Sequence, residues 1–275
     1  MTAPADLRFF PSADGDLAYL DTGSGDPVVL LHCGFVDHRF WAAQIPALAA
    51  GYRVIVPDVR GHGWSANATQ PFRWADDLTG LLRHLGTGPA VLVGVSMGGV
   101  IATDTLLDHP DLVRAAVVGG SATGDWQYTD DWHRGIQAEY ARTMAAGDIE
   151  GWLDAFLRVA PGEHRTADDL DPAIPRRLRE MALHTISKHT PDEKDWLVHS
   201  TDNWSRVAGI RVPVHTVNGS LEPADLLAAA ERLSAATPGG RSVTIDGTGH
   251  YPNLEKPEEY NRILLDLLRT LYGTL

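Results

Sequence analysis

The sequence feature that most constrains the fold is the pentapeptide Gly-Val-Ser-Met-Gly at positions 94–98. A short apolar run at 91–93 precedes it and an apolar helical pattern resumes after Gly99, so a sharp turn is expected to join a strand to a helix here. A side chain on such a tight turn has a strained backbone, and small residues two places before and after it relieve the crowding. The sequence therefore predicts that Ser96 is held above the end of a strand with its hydroxyl exposed.

The segments on either side alternate between strand and helix patterns. Strands are predicted at 7–10, 17–21, 28–32, 53–57, 90–94, 114–119, 211–217 and 242–246, and helices at 40–50, 72–85, 96–108, 223–236 and 257–272. The uninterrupted apolar run at 28–32 is typical of a strand that is covered on both faces of a parallel sheet. We therefore expect a doubly wound, mostly parallel α/β sheet of eight strands.

Between positions 124 and 207 the strand patterns stop and only helical patterns remain. Aromatic and aliphatic residues recur there every four positions from Trp132 to Met144, as on one face of a helix. A helical insertion between two strands of such a sheet is expected to cover one end of it as a lid. The predicted organisation is a core of residues 1–123 and 209–275, with a helical lid at 124–208 after the sixth strand.

The predicted lid is rich in aromatic side chains. They are Trp126, Tyr128, Trp132, Tyr140, Trp152, Trp196 and Trp204. Most aromatic residues in such a segment serve internal packing, but a few that line a pocket would favour an apolar or aromatic substrate.

A serine nucleophile requires a base, a carboxylate that orients the base, and donors for the oxyanion. In this topology all of these belong at the carboxyl ends of strands. His250 follows the last predicted strand in the segment Gly-Thr-Gly-His and precedes the final helix, so we predict that it is the general base. The other histidines, including His184, His189 and His199 of the lid, are interpreted as surface or packing residues.

Three carboxylates are candidates for the orienting acid. Glu222 is the first carboxylate after the seventh predicted strand, and glutamate is a poor helix N-cap, which indicates another role. Asp225 would lie in the first turn of the next helix, where an acid is favoured by the helix dipole alone. Asp125 follows the preceding core strand. We predict that Glu222 is the acid, which gives the nucleophile–acid–base chain order expected for this fold, and keep the two aspartates as alternatives.

Two backbone N–H groups are predicted to form the oxyanion hole. One belongs to Met97, directly after the nucleophile, and the other to the turn that follows the first parallel strand. Gly34 is the predicted donor in that turn and Phe35 is the alternative. Cys33 has no basic neighbour in the sequence and is interpreted as a small buried packing residue.

Four stretches together resemble the α/β-hydrolase superfamily, of the serine esterase, lactonase and cofactor-free perhydrolase type. They are residues 31–35 with Trp41, 58–65, 94–99 and 249–257. The resemblance implies no cofactor, and a structural rather than chemical role for Asp58 and Arg60. Haloalkane dehalogenases and epoxide hydrolases of this fold carry an aspartate at the elbow, and Ser96 argues against both.

These features predict a hydrolase that cleaves a carboxylic ester or lactone of a small molecule through an acyl-enzyme on Ser96. A carbon–carbon bond hydrolase, a lyase or a perhydrolase could use the same triad, and these remain alternatives. A non-catalytic ligand-binding protein of this fold is a further alternative.

The composition excludes several classes of partner. A net charge of -13 argues against nucleic acid and anionic membrane surfaces. The chain shows no signal-peptide pattern, no apolar run long enough to span a bilayer and a single cysteine, so we expect a cytoplasmic location. The 12 histidines show no metal-ligand spacing, so no metal is expected. A homodimer would be an ordinary assembly for such a chain.

Overall fold

The computed structural model describes residues 4–125, 129–190 and 192–273. The strands of this part of the chain are β1 (Arg8–Ser12), β2 (Gly15–Gly23), β3 (Pro27–Leu31), β4 (Arg53–Pro57), β5 (Ala90–Val95), β6 (Val113–Gly119), β7 (Val214–Gly219) and β8 (Ser242–Ile245). They form an eight-stranded sheet in the order β1-β2-β4-β3-β5-β6-β7-β8. The β1–β2 and β2–β4 pairs are antiparallel and the other neighbours are parallel. The predicted eight-stranded, mostly parallel sheet is therefore confirmed.

Helices cover both faces of the sheet. They are α1 (Gln44–Ala49), α2 (Trp74–Leu85), α3 (Met97–Asp108), α4 (Asp131–Ala146), α5 (Ile149–Val159), α6 (Ala173–Ile186), α7 (Asn203–Val207), α8 (Ala224–Ala235), α9 (Pro252–Glu255) and α10 (Pro257–Tyr272). Successive side chains of a strand point to opposite faces, so Val28 and Leu30 enter one hydrophobic core while Val29 and Leu31 enter the other. Among the described helices, none is long and apolar enough to cross a membrane.

Two predicted elements differ from the structure. Instead of one helix at 40–50, a 3₁₀ turn at His38–Trp41 is followed by the short helix α1. The Asp37 carboxylate accepts a hydrogen bond from the N–H of Arg39 and begins that turn early, which a pattern of apolar residues cannot reveal. The seventh strand begins at Val214 rather than at 211, because Pro213 has no N–H to donate to a strand neighbour.

The segment between β6 and β7 carries helices α4 to α7, as the helical pattern predicted. One short contact with the core has strand character: Phe72 forms an isolated parallel bridge with Leu197. Trp126 and Tyr128 lie outside the described residues. The division at 124 and 208, and the function of this insertion as a lid, remain predictions.

Candidate active site

The turn between β5 and α3 holds Ser96 in a strained conformation. Its φ is +55° and its ψ is −119°, and such a backbone costs a non-glycine residue about 1–3 kcal/mol. Its N–H donates to the carbonyl of Gly119 at the end of β6, at 2.7 Å, and its own carbonyl accepts from Gly99 at 2.9 Å. The neighbouring strand and the helix start therefore hold the serine in place.

The glycines of the pentapeptide allow this close packing. A Cβ on Gly94 would lie 2.1 Å from the carbonyl oxygen of Gly98, and a Cβ on Gly98 would lie 2.1 Å from that of Leu31. The helix start thus lies directly against the end of β3. The spacing seen in the sequence is therefore a packing requirement.

His250 and Glu222 form a buried hydrogen-bonded pair. Nδ1 of His250 lies 2.8 Å from Oε1 of Glu222, and the two side chains are 5% and 3% exposed. An ionised carboxylate only accepts hydrogen bonds, so Nδ1 carries a proton, and in the neutral imidazole Nε2 presents its lone pair. This is the tautomer that a general base requires.

Gly120, which follows the last residue of β6, packs against this pair. A Cβ on Gly120, whose φ is +59°, would lie 2.5 Å from Cε1 of His250 and 3.1 Å from Oε1 of Glu222. The N–H of Ser96 donates a hydrogen bond to the carbonyl of Gly119, the residue before Gly120. Within the described residues no hydrogen bond joins Ser96 Oγ to the His250 ring, and such bonds often tighten only when substrate is bound.

The two alternative acids have other partners. Asp225 accepts hydrogen bonds from the N–H groups of Thr129 at 2.8 Å and Asp130 at 3.0 Å. Burial acts to raise the pKa of the Asp225 carboxyl, but these hydrogen bonds lower it overall. The same hydrogen bonds anchor the start of α4. Asp125 accepts a longer bond of 3.5 Å from the N–H of Trp204. Of the three carboxylates, Glu222 is the one placed against His250.

The turn after β3 presents two candidate oxyanion donors. Phe35 has a φ of +64°, whereas Gly34 is not among the described residues with positive φ and has open space where a Cβ would be. Both residues are partly exposed, and within the described residues neither N–H is bonded to a backbone carbonyl. Met97 begins α3, where a backbone N–H has no partner within the helix.

His32 and Cys33 are buried and stabilise this turn. His32 Nδ1 lies 2.8 Å from the carbonyl of Cys33, and Nε2 accepts from the N–H of Val59 at 2.9 Å. Burial raises the pKa of the Cys33 thiol to about 12, although a hydrogen bond with Tyr251 opposes this. A thiol so reluctant to ionise is a poor nucleophile.

Asp58 and Arg60 stabilise the conformation of the loop that contains them. Asp58 Oδ1 accepts from the N–H of His38 at 2.7 Å and lies 2.8 Å from its Nδ1, while Oδ2 accepts from the N–H of Trp64 at 2.9 Å. Arg60 makes a two-pronged ion pair with Asp77, with both contacts at 2.7 Å. These contacts order the loop, which agrees with the structural role that the resemblance implies for both residues.

One group of possible metal ligands occurs within the described residues. The ligand atoms of Asp37, His38 and Asp58 lie within 4.8 Å of one another. The Asp37 carboxylate, however, binds the guanidinium of Arg39 through both oxygens, at 2.9 and 2.7 Å. The guanidinium of Arg39 already occupies the Asp37 carboxylate, so we assign this cluster a structural role.

His133, on α4, is a residue near the site that the sequence interpretation missed. It is buried, and its pKa falls to about 4 because of burial, with the nearby charge of His250 acting in the same direction. The imidazole is therefore neutral at pH 7 beside the predicted base. The four-residue spacing of α4 gave no signal for this proximity, because the two histidines lie more than a hundred positions apart in the sequence.

Aromatic side chains of the insertion pack around the Phe35 ring. Trp152 meets the Phe35 ring edge-on at 4.4 Å and stacks on Phe156 at 5.5 Å, and Tyr140 stacks on Trp152 at 5.4 Å. The Phe35 side chain, in the candidate oxyanion turn, is therefore part of an aromatic cluster. Trp196 instead packs against Lys194, at 3.7 Å.

Comparison with known proteins shows similarity over nearly the whole chain. A family model described as alpha/beta hydrolase fold matches residues 26–257. Epoxide hydrolase A of Mycobacterium tuberculosis is 31% identical over 295 residues, covering 90% of this chain and 92% of that protein. A putative non-heme bromoperoxidase of Mycobacterium tuberculosis is 30% identical over 258 residues, covering 91% and 96%. The structure of a thermophilic esterase from Thermogutta terrifontis superposes with a TM-score of 0.76 at 25% identity, covering 97% of this chain and 99% of that one.

Proposed function

The chain belongs to the alpha/beta hydrolase fold family, and from that membership we propose that it is a serine hydrolase that cleaves a carboxylic ester or lactone. One observation carries the proposal: His250 and Glu222 form a buried pair at 2.8 Å and pack against Gly120, the residue after Gly119, whose carbonyl accepts a hydrogen bond from the N–H of Ser96. An imidazole oriented by a carboxylate next to an elbow serine is the arrangement that acyl transfer requires.

In the proposed mechanism, Nε2 of His250 takes the proton of Ser96 Oγ as the oxygen attacks the substrate carbonyl. The N–H groups of Met97 and Gly34 stabilise the oxyanion, and Glu222 stabilises the imidazolium. The imidazolium then protonates the departing alcohol, which leaves an acyl group on Ser96. Water deprotonated by His250 attacks the acyl-enzyme and releases the acid and the free serine.

The identity of the elbow residue favours ester cleavage over epoxide opening. The relative named epoxide hydrolase A shares 31% of its residues with this chain, but epoxide hydrolases of this fold use an aspartate at the elbow, where this chain has Ser96. A serine oxygen attacks an acyl carbon and forms an acyl-enzyme that water can hydrolyse. The similarity to a solved esterase supports the same reaction class.

The test of the proposal is covalent labelling by a fluorophosphonate probe, followed by intact-mass measurement. We expect one adduct on the wild-type protein, none on Ser96→Ala, and none on heat-denatured wild type. Turnover of an ester and lactone panel should be lost in Ser96→Ala in parallel. If Ser96→Ala keeps the adduct or most of the esterase activity, the proposal is wrong. Product analysis on β-diketone, cyanohydrin and peroxide substrates then separates ester cleavage from the other reactions of the same triad.

The aromatic cluster around Phe35 supports an apolar or aromatic substrate. Replacing Trp152, which contacts Phe35, with leucine should lower kcat/KM for a naphthyl ester about tenfold more than for an acetyl ester, because hydrophobic contacts discriminate between substrates by roughly that factor. Trp196→Leu is the matched control, since that ring packs on Lys194. Equal losses on both esters, or better turnover of acetyl esters by the wild type, would contradict an aromatic substrate.

A further inference from the structure

The connection between α5 and α6 lies against the loop that carries the base. The N–H of His250 itself donates to the carbonyl of Ala160, at 3.1 Å. A Cβ on Gly249 would lie 2.4 Å from that carbonyl oxygen and 2.8 Å from that of Pro161. This contact brings a segment of the insertion to the backbone of the predicted base, with space only for glycine between them.

A largely buried ion pair reinforces the contact. Arg165 donates to Glu255 through two nitrogens, at 2.8 and 3.0 Å, and the side chains are 20% and 8% exposed. The same Glu255 carboxylate accepts from the N–H of Gly249, the residue before His250, at 2.7 Å. Arg165 also reaches the carbonyls of Pro161 at 3.0 Å and Gly247 at 3.3 Å.

The same connection approaches the loop that carries the acid. Gly162 has a φ of +85°, and a Cβ there would lie 2.8 Å from the carbonyl oxygen of Leu221. The N–H of Leu221, the residue before Glu222, donates to the carbonyl of Thr248 at 3.0 Å. Residues 160–165 therefore contact the backbone next to both members of the buried pair.

We propose that Arg165 and Glu255 are positioning residues for His250, and that residues 160–165 belong to the catalytic framework. Two parallel charge-assisted hydrogen bonds fix the guanidinium in direction as well as distance. The carboxylate that they hold fixes in turn the backbone directly before the imidazole. A displacement of about 1 Å in a catalytic group can cost about a hundredfold in rate. This inference rests on the proposed function.

The primary test compares Arg165→Met, Glu255→Gln and the double variant in steady-state hydrolysis of an acetyl ester. We expect kcat to fall about 10- to 100-fold with little change in KM, because the loss concerns placement of the base and not substrate binding. The double variant should lose no more than the worse single variant, since both act through one contact. Arg165→Lys keeps the charge without the two-pronged geometry and should recover only part of the rate.

Arg179→Met is the matched control. Arg179 on α6 pairs with Glu150 on α5 at 2.5 Å, with side chains 34% and 70% exposed, and neither residue contacts the base loop. The kcat of Arg179→Met should equal that of the wild type. Wild-type kcat in folded Arg165→Met and Glu255→Gln would overturn the proposal, as would an equal loss in Arg179→Met.

A second measurement separates this inference from the proposed function. The low-field ¹H NMR signal of the His250 Nδ1 proton, assigned by its absence in His250→Gln, reports the imidazole position without turnover. We expect the signal to shift or broaden in Arg165→Met and Glu255→Gln but not in Arg179→Met. If a single variant fails to fold, the double variant is measured in its place, because it leaves no unpaired buried charge. A wild type that shows the signal but does not react at Ser96 would refute the proposed function alone; an unchanged signal in the variants would refute the positioning role.

Discussion

At the scale of single residues, the candidate site contains backbone conformations that non-glycine residues rarely adopt. Ser96 and Phe35 are two of the three described non-glycine residues with positive φ, and the third is Asp202. Strained backbones persist only where the surroundings determine them, and they occur often at functional sites. Here the strain at Ser96 lies in the turn between β5 and α3, and the strain at Phe35 lies in the turn of the candidate oxyanion donors.

Gly120 provides a test at this scale. In Gly120→Ala the new methyl group would lie 2.5 Å from Cε1 of His250 on a backbone with φ +59°. We expect a loss of stability of about 1–3 kcal/mol, and a loss of kcat beyond what the unfolded fraction explains, because the imidazole must move. Chemical denaturation and esterase assays on the same preparation measure both effects.

Gly135→Ala is the control for that substitution. Gly135 lies within α4, with nothing within 4 Å of the position of a Cβ. Alanine there should stabilise the protein by about 0.5–1 kcal/mol and leave kcat unchanged. Full activity in Gly120→Ala would contradict the close packing of His250 against the end of β6.

At the scale of elements, α3 joins the nucleophile to the end of the insertion. Its first residue follows Ser96, and two turns later Asp104 accepts from Nδ2 of Asn203, which begins α7, at 3.0 Å. One turn further, Asp108 accepts from Arg206 at 2.6 Å and also pairs with Arg73. Burial, together with the charge of Asp108, raises the pKa of Asp104 to about 6.

The raised pKa of Asp104 predicts a dependence of stability on pH. The folded pKa of about 6 exceeds the unfolded value of about 3.9, so the folded state binds the proton more tightly. This contribution to the free energy of unfolding is complete below about pH 4 and is lost as the pH rises through about 6. Asp104→Asn does not titrate, so its stability relative to the wild type should rise by about 1–3 kcal/mol between pH 4 and 7.5.

Urea denaturation of both proteins across that pH range measures the difference. Asp168→Asn, at an exposed position, is the control and should follow the wild type at every pH. A constant difference between Asp104→Asn and the wild type would show that Asp104 titrates normally.

At the scale of the whole molecule, the sheet and the insertion differ in burial. Every residue of β5 and β7 is buried, whereas α4 buries only His133, Ile136 and Thr143 of its 16 residues. Regions with few buried contacts open at lower free energy than the core does. Within the insertion, α4 is therefore the helix expected to open at lower free energy than the core does.

Hydrogen–deuterium exchange tests this difference. Amides of β3, β5 and β6 should exchange slowest and those of α4 fastest among the long helices, because α4 has the smallest buried surface. The connection at 160–165 should exchange more slowly than α4, since Arg165 and Ala160 bond to the base loop. Protection of α4 equal to that of β5 would contradict a separately opening lid.

The sequence by itself determined the features that depend on local spacing. The alternation of strand and helix patterns predicted the eight-stranded sheet, and the glycines around Ser96 predicted the strained turn, because periodicity and turn chemistry involve residues close in sequence. The position of His250 after the last strand followed from topology. The early 3₁₀ turn at His38–Trp41 escaped the pattern because a single capping aspartate decided it.

Only the tertiary structure decided which distant side chains meet. It placed Glu222 rather than Asp225 against His250, buried His133 near them, and joined Arg165 to Glu255 across 90 positions of sequence. A carboxylate has the same local signature whether it caps a helix, pairs with an arginine or orients an imidazole. The choice depends on how helices and loops pack on the sheet, and that packing is a property of the whole chain.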